Sequence, residues 1–481
     1  MVFSSMVFLG IFLPVVGAVY YLTPKKFRNL WLFVASLMFY GWGEPKYILI
    51  MLFSTVFDYV NGRMIGYFDG KGLHDRGSKV MVVISCLGNL GILGFFKYTD
   101  FVIRSINDIS GLGLSALQLA LPIGISFYTF QTMSYTIDVY RGLVKPQKNI
   151  ISFGMYVCMF PQLIAGPIVR YQDVAREVDR RRESETLRQR GIYRFMIGLG
   201  KKVLLANQAG EIYQQLQVFS GAELTAPVAW LSAIMYTFQI YFDFSGYSDM
   251  AIGLGMFFGF HFPENFDHPY ESTSVTEFWR RWHMTLSTWF REYLYIPLGG
   301  NRRGMGRQIF NLFVVWALTG LWHGADWNFL LWGLYYFLLL LVEKLFLLGW
   351  FQKHERGPKI LRRIYTMLAV TCGWVLFSHT DLSQALLWWK SLFSFDGWKR
   401  GLTDHLASSG YLWLHSLPFL VILILGCTSL PKRWWNALIG PDERREGHLC
   451  RREILLTVCL FVVSVIYLVS GSYNPFLYFR F

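Results

Sequence analysis

The stretch Leu321-Trp322-His323-Gly324-Ala325-Asp326-Trp327 sets an imidazole between two apolar runs, Ile309 to Trp322 and Phe329 to Leu348. An ionisable side chain at or near membrane depth is costly to keep, so His323 is a functional-site hypothesis in its own right. Gly324 loosens the helix and gives the backbone room for a non-helical passage lining a cavity. A neutral imidazole with an ordinary pKa of about 6.5 suits a general base acting on a hydroxyl. Spacing alone also fits an ordinary loop, its histidine at the interface between belt tryptophans.

Three further groupings carry chemistry-bearing residues. In Trp279-Arg280-Arg281-Trp282-His283-Met284-Thr285, His283 shares a helical stripe with Trp279, Leu286 and Phe290. The arginines read either as partners of lipid phosphates or as a mouth that attracts a polyanionic donor such as coenzyme A, with His283 near the reacting group. In Tyr241-Phe242-Asp243-Phe244-Ser245-Gly246-Tyr247-Ser248-Asp249, two carboxylates follow an apolar run directly. Asp243 and Asp249 must be paired or face water there, either orienting a histidine or holding helix ends together, the structural role being preferred. The chain closes on Asn474-Pro475-Phe476-Leu477-Tyr478-Phe479-Arg480-Phe481, aromatic to its last residue where a solvated tail is normally polar. It is either an interfacial anchor or a plug that brings Tyr478 to an active site.

The elements that must position these residues are membrane helices. The chain has 481 residues, 54% hydrophobic and 16% charged, too apolar for a soluble protein of this length. Runs of helical length recur, among them Met6 to Leu22, Leu30 to Trp42 and Val80 to Phe96. Others lie near 115–137, 150–169, 192–206, 226–242, 308–322, 327–349, 364–378, 411–428 and 453–470. At about 20 residues per crossing this predicts roughly ten or more spans, some of them re-entrant or interfacial. The expected fold is therefore an all-α polytopic membrane protein. Between Ser274 and Arg307 the pattern turns amphipathic and predicts an interfacial helix, followed by a basic turn that carries Arg302 and Arg303.

Charge sets the expected topology. No positive residue precedes the first run, which argues against a cleaved signal peptide; Lys25, Lys26 and Arg28 follow it, putting that loop inside and the N-terminus outside. Arg444, Arg445, Arg451 and Arg452 precede the last run, so the C-terminal tail also emerges outside. The net charge of +14 is distributed in short clusters beside apolar runs, which the positive-inside rule explains better than nucleic acid does. The polar stretch Gln172 to Arg190 reads as a solvated cytoplasmic helix or loop. The six cysteines show no C-x-x-C pair and read as small core residues. There is no G-x-S-x-G elbow, H-E-x-x-H zinc site or P-loop, and Gly253 to Gly259 reads as helix packing.

Taken in order, these groupings resemble the membrane-bound O-acyltransferase family, in its bacterial branch that O-acetylates exported polysaccharide such as alginate. The resemblance runs through nearly the whole chain and includes Leu121 to Phe130, Ile164-Ala165-Gly166-Pro167, 241–253, 277–300 and Trp322 to Trp327. It implies a ring of transmembrane helices around a thin centre with a tunnel, residues 1–470 forming the acyltransferase domain and 471–481 an outer aromatic tail. It implies that His323 and His283 are the two catalytic histidines. Asp326 departs from the asparagine often found in relatives. The tail resembles the aromatic motif of a small companion protein in teichoic acid D-alanylation, with Tyr478 at the acyl-carrier position.

The mechanism so implied has acetyl-CoA as donor, with no bound cofactor or metal. The donor binds near Arg280, Arg281, Arg302 and Arg303, with Trp282, Trp322, Asp243 and Asp249 around the site. His323 is the base, Tyr478 the acceptor, and a separate periplasmic transferase of serine-hydrolase type moves acetyl to the sugar, in a protein of the bacterial inner membrane. Peptidoglycan O-acetylation or other acyl transfer is the alternative; a transporter of acyl donor or polysaccharide is the alternative of another class.

Overall fold

The computed structural model describes residues 1–221, 223–353, 359–395, 397–399, 406–440, 447–471, 473–475 and 477. Among the described residues the secondary structure is helical, without a β-strand. The helices used below are α1 (Ile48–Gly70), α2 (Lys79–Ser110), α3 (Ile125–Tyr140), α4 (Glu185–Gly200), α5 (Ala226–Phe257), α6 (Val275–Arg281), α7 (Met284–Phe290), α8 (Gly304–His323), α9 (Trp327–Val342), α10 (Lys359–Ser378), α11 (Leu406–Gly426) and α12 (Arg451–Ser470).

Among the described residues, six helices are long and apolar enough to cross a membrane: Ile48–Gly70, Arg76–Ser110, Trp327–Phe351, Lys359–Ser378, Ser409–Gly426 and Arg451–Ser470. Two other apolar runs are interrupted. The run near 115–137 becomes helical only at Ile125, and that near 150–169 breaks after Cys158, where Pro161 follows. The polar cluster 241–249 does not end its helix, because α5 continues to Phe257.

The chain divides into two compact units, the first made of Met1–Leu199, Tyr247–Glu264 and Gly447–Val469, the second of Gly200–Gly246, Asn265–Glu446 and Ser470–Phe481. In the first, α1, α2 and α3 are tied by a buried polar knot. Asp58 accepts from Ser85 Oγ and Asn89 Nδ2, both at 2.6 Å, and Thr132 Oγ1 donates to Asn89 Oδ1 at 3.2 Å. Within apolar surroundings such groups must satisfy one another across helices. The stretch 172–190 is more than a solvated connection: Glu183 pairs with Arg28 and accepts from Tyr20, while Arg181 Nε donates to Tyr20 Oη at 2.7 Å.

The second unit is built on aromatic packing. Trp279 lies 4.8 Å from Trp316 and from Tyr336, ring centre to ring centre, and Trp282 lies 4.8 Å from Trp374. Large rings fill the space between short helices and leave few rotamers open. Cys158, Cys372 and Cys427 are buried, Cys459 is exposed, and none of the six cysteines is in a disulfide.

Candidate active site

His323 is the last residue of α8, and the chain turns there into α9. The turn is tight because the two helices nearly touch: a Cβ on Gly320 would stand 2.4 Å from the carbonyl oxygen of Phe329, and one on Gly324 would stand 2.1 Å from the Phe329 ring. Gly324 is extended, φ −161°, which ends the helix at the histidine; Asp326 is the N-cap residue of α9. The imidazole is 8% exposed. It meets Trp332 and Phe377 edge to face, ring centres 5.1 and 5.3 Å away, and its neighbour Trp322 at 4.9 Å. Steric confinement on three sides fixes the ring.

A cavity of about 20 Å³, room for little more than one water, is lined by His323, Asp243, Phe244, Trp282, Phe377 and Leu477, together with Ile240 and Trp374. The tail thus reaches the same cavity as the histidine. Tyr478 lies outside the described residues, and Leu477 directly precedes it.

The expected interfacial helix around His283 is divided into α6 and α7, with His283 between them in the left-handed region, φ 44°. Asn265 holds this bend. Its side-chain Oδ1 accepts from His283 Nδ1 at 3.0 Å and Thr285 Oγ1 at 2.9 Å, and its carbonyl accepts from Met284 N at 3.0 Å. With Nδ1 donating, a neutral His283 carries its unprotonated nitrogen at Nε2. His283 lies outside the candidate spans and burial alone pushes its pKa down, to about 3, so the ring is neutral at physiological pH. Its ring centre is 4.7 Å from Phe244 and 6.1 Å from Trp322.

A second, wider cavity of about 420 Å³ has His283 in its wall, with Arg280, Arg291, Tyr295, Gln308 and Lys344 as polar lining and Trp279, Leu286, Phe290 and Trp316 among the apolar. Three cations on an apolar chamber suit an anionic head with a thin acyl-bearing arm. Arg280 is the expected arginine that lines it. Arg281 instead pairs with Glu277 at 2.7 Å, and Arg302 and Arg303 lie exposed in the turn before α8. Trp282 faces the small cavity and His283 the wide one, so adjacent residues border both.

The two carboxylates are both in ion pairs. Asp243 meets Lys202 Nζ at 2.6 Å, and Asp249 Oδ1 meets Arg194 Nη2 at 2.8 Å, so these carboxylates cross-link helices. Arg291, Lys344, Lys202 and Asn265 are site residues the sequence reading did not single out. For Lys202 the signal was available, a lysine within the apolar run 192–206, and for Arg291 it was its place in the same amphipathic stretch as Arg280; for Lys344 and Asn265 it was not, since their partners are remote in the chain.

Helices of membrane-crossing length, with a buried histidine and a cation-lined chamber in the second unit, fit a multi-pass membrane enzyme. Residues 145–379 match the model of MBOAT, the membrane-bound O-acyltransferase family. The chain is 38% identical to a protein of Pseudomonas aeruginosa named probable alginate O-acetylase, over all of both chains, and 39% identical to one of the same name from Azotobacter vinelandii, again over all of both. It is 34% identical to the peptidoglycan O-acetyltransferase of Helicobacter pylori, over 82% of this chain and 80% of the other. The chain belongs to the membrane-bound O-acyltransferase family and is an acyltransferase.

Proposed function

We propose that this protein takes acetyl from cytoplasmic acetyl-CoA and passes it through the bacterial inner membrane to Tyr478, for O-acetylation of an exported, alginate-like polysaccharide. The observation that carries the reading is the small cavity that His323 shares with Leu477, the residue before Tyr478. Acetyl-CoA occupies the wide chamber, its phosphates toward Arg280, Arg291 and Lys344 and its thioester toward His283. His323 takes the phenol proton of Tyr478 as the oxygen attacks the thioester carbonyl; the C–S bond breaks, and the leaving thiolate takes up the proton. Two imidazoles at the border of two cavities, one confined by aromatic rings and one kept neutral, support this division. A phenol with pKa near 10 is only about 0.1% ionised at pH 7, which is why a positioned base is needed. A periplasmic partner of serine-hydrolase type then moves acetyl from tyrosine to sugar, so that only the small acyl group crosses.

The test is polymer acetylation in cells together with mass spectrometry of the C-terminal peptide. Tyr478→Phe deletes one oxygen and is expected to abolish both the acetyl adduct and acetylation; His323→Ala is expected to lower acetylation at least 100-fold at normal protein level. Normal acetylation in either variant would overturn the assignment. Peptidoglycan as acceptor is the second reading, favoured by the likeness to the Helicobacter pylori enzyme. Release of coenzyme A by the purified protein separates both readings from a transporter, which predicts intact thioester.

A further inference from the structure

The ion pair of Lys202 and Asp243 does more than join two helices. Both residues are 2% exposed, and each spends a further hydrogen bond on the backbone of the C-terminal segment. Lys202 Nζ donates to the carbonyl of Pro475, and Asp243 Oδ2 accepts from the amide of Leu477 at 3.0 Å. Two side-chain contacts accompany these: Asn207 Nδ2 donates to Asn474 Oδ1 at 3.2 Å, and Gln239 Nε2 donates to Tyr473 Oη at 3.4 Å. A buried ion pair replaced by apolar groups of similar volume often leaves stability unchanged, so packing alone does not call for charge here. Recognition of a backbone carbonyl and a backbone amide two residues apart does, because a charged donor and a charged acceptor make the stronger bonds.

We infer that Lys202 and Asp243 form a clamp that grips the main chain of the C-terminal segment and fixes the register in which residue 478 is presented to the His323 cavity. They are positioning residues, and the inference rests on the reading of Tyr478 as acyl carrier. Asp243 itself lines that cavity, so the grip acts at its wall. A slip of the tail by one residue would exchange the bound carbonyl and amide and move the phenol by more than the ~1 Å that transfer geometry tolerates.

The double variant Lys202→Met/Asp243→Asn removes both charges without leaving one buried and unpaired, and the double variant Lys202→Gln/Asp243→Asn, likewise uncharged, provides the same measurements if the first does not accumulate. Full-length protein in detergent is followed by three readouts: the rate at which chymotrypsin clips the aromatic tail, by intact mass; acetyl on Tyr478, by peptide mass; and the KM for acetyl-CoA. Clipping is expected to rise about tenfold and acetyl-Tyr478 to fall about tenfold, with KM for acetyl-CoA and the thermal midpoint unchanged, because the donor occupies the other cavity. Clipping at the wild-type rate would overturn the clamp, and so would a thermal midpoint that falls in step with clipping, since the pair would then serve stability alone. Faster clipping in the variants together with no acetyl on Tyr478 of the wild type would uphold the grip on the tail and overturn the carrier reading instead.

Discussion

His283 is held neutral by burial, with its Nδ1 proton donated to Asn265, and the burial has a consequence for pH. In the folded protein its pKa is about 3, whereas in the unfolded chain it is near the ordinary value of about 6.5. Between those values the unfolded chain binds a proton that the folded one does not. Stability is therefore unaffected by this group above pH 6.5 and falls as pH drops below it, by at most about 1.4 kcal/mol per pH unit. Thermal unfolding in detergent at pH 7 and pH 5 checks this: the midpoint should drop on acidification, and His283→Gln should flatten the drop. An equal drop in both proteins would assign the acid sensitivity to other groups. His283 and His323 were legible as chemistry-bearing residues because an imidazole beside apolar runs is rare enough to notice. The cations of the wide chamber were legible only in part. Arg280 is where the sequence pointed, while Arg291 and Lys344 come to the same chamber from other elements, and Arg281 is taken by Glu277, four residues before it.

At the scale of elements, the pair α6 and α7 shows what local periodicity leaves out. The stripe of Trp279, His283, Leu286 and Phe290 is real, but the helix breaks at its histidine because Asn265, far upstream, binds side chain and backbone there. A second remote residue fixes the start of α6: Glu343, at the end of α9, accepts from the backbone amides of Val275 at 2.6 Å and Thr276 at 2.8 Å and from the Thr276 hydroxyl at 2.6 Å. Those amides are orphan donors of a helix N-terminus, and Glu343 is their acceptor. Glu343→Ala should therefore cost about 1–3 kcal/mol by leaving them unsatisfied, and Glu343→Gln, which keeps one acceptor oxygen, should cost less. Thermal midpoints rank the three proteins; equal midpoints would mean that α6 is held by its aromatic packing instead. By contrast α9, α10 and α12 were plain in the sequence, because an uninterrupted apolar run of spanning length has few alternatives in a bilayer. The runs at 115–137 and 150–169 were too long as read: composition does not distinguish helix from irregular chain, whether that chain is exposed, as at 115–118, or buried, as after Cys158.

At the scale of the whole molecule, what matters is the direction of transfer. The excess of cations sits in clusters beside apolar runs, and the wide chamber with Arg280, Arg291 and Lys344 and the narrow one with Leu477 are separate cavities bordered by adjacent residues, Trp282 and His283. Coenzyme A carries several phosphate charges, and moving them through hydrocarbon is far more costly than moving an acetyl group. A narrow cavity of about 20 Å³, room for little more than one water, excludes coenzyme A. Acyl transfer should therefore be sided. In sealed proteoliposomes with one orientation of the protein, acetyl-CoA supplied on the cytoplasmic face alone should yield free thiol on that face only. Acetyl-Tyr478 should become reactive toward a hydroxylamine-type nucleophile added on the opposite face, and acetyl-CoA supplied on that opposite face should give neither product. Thiol appearing on both faces, or equal use of donor from either side, would mean that the two cavities open to one compartment, and the protein would then acylate without carrying the group across.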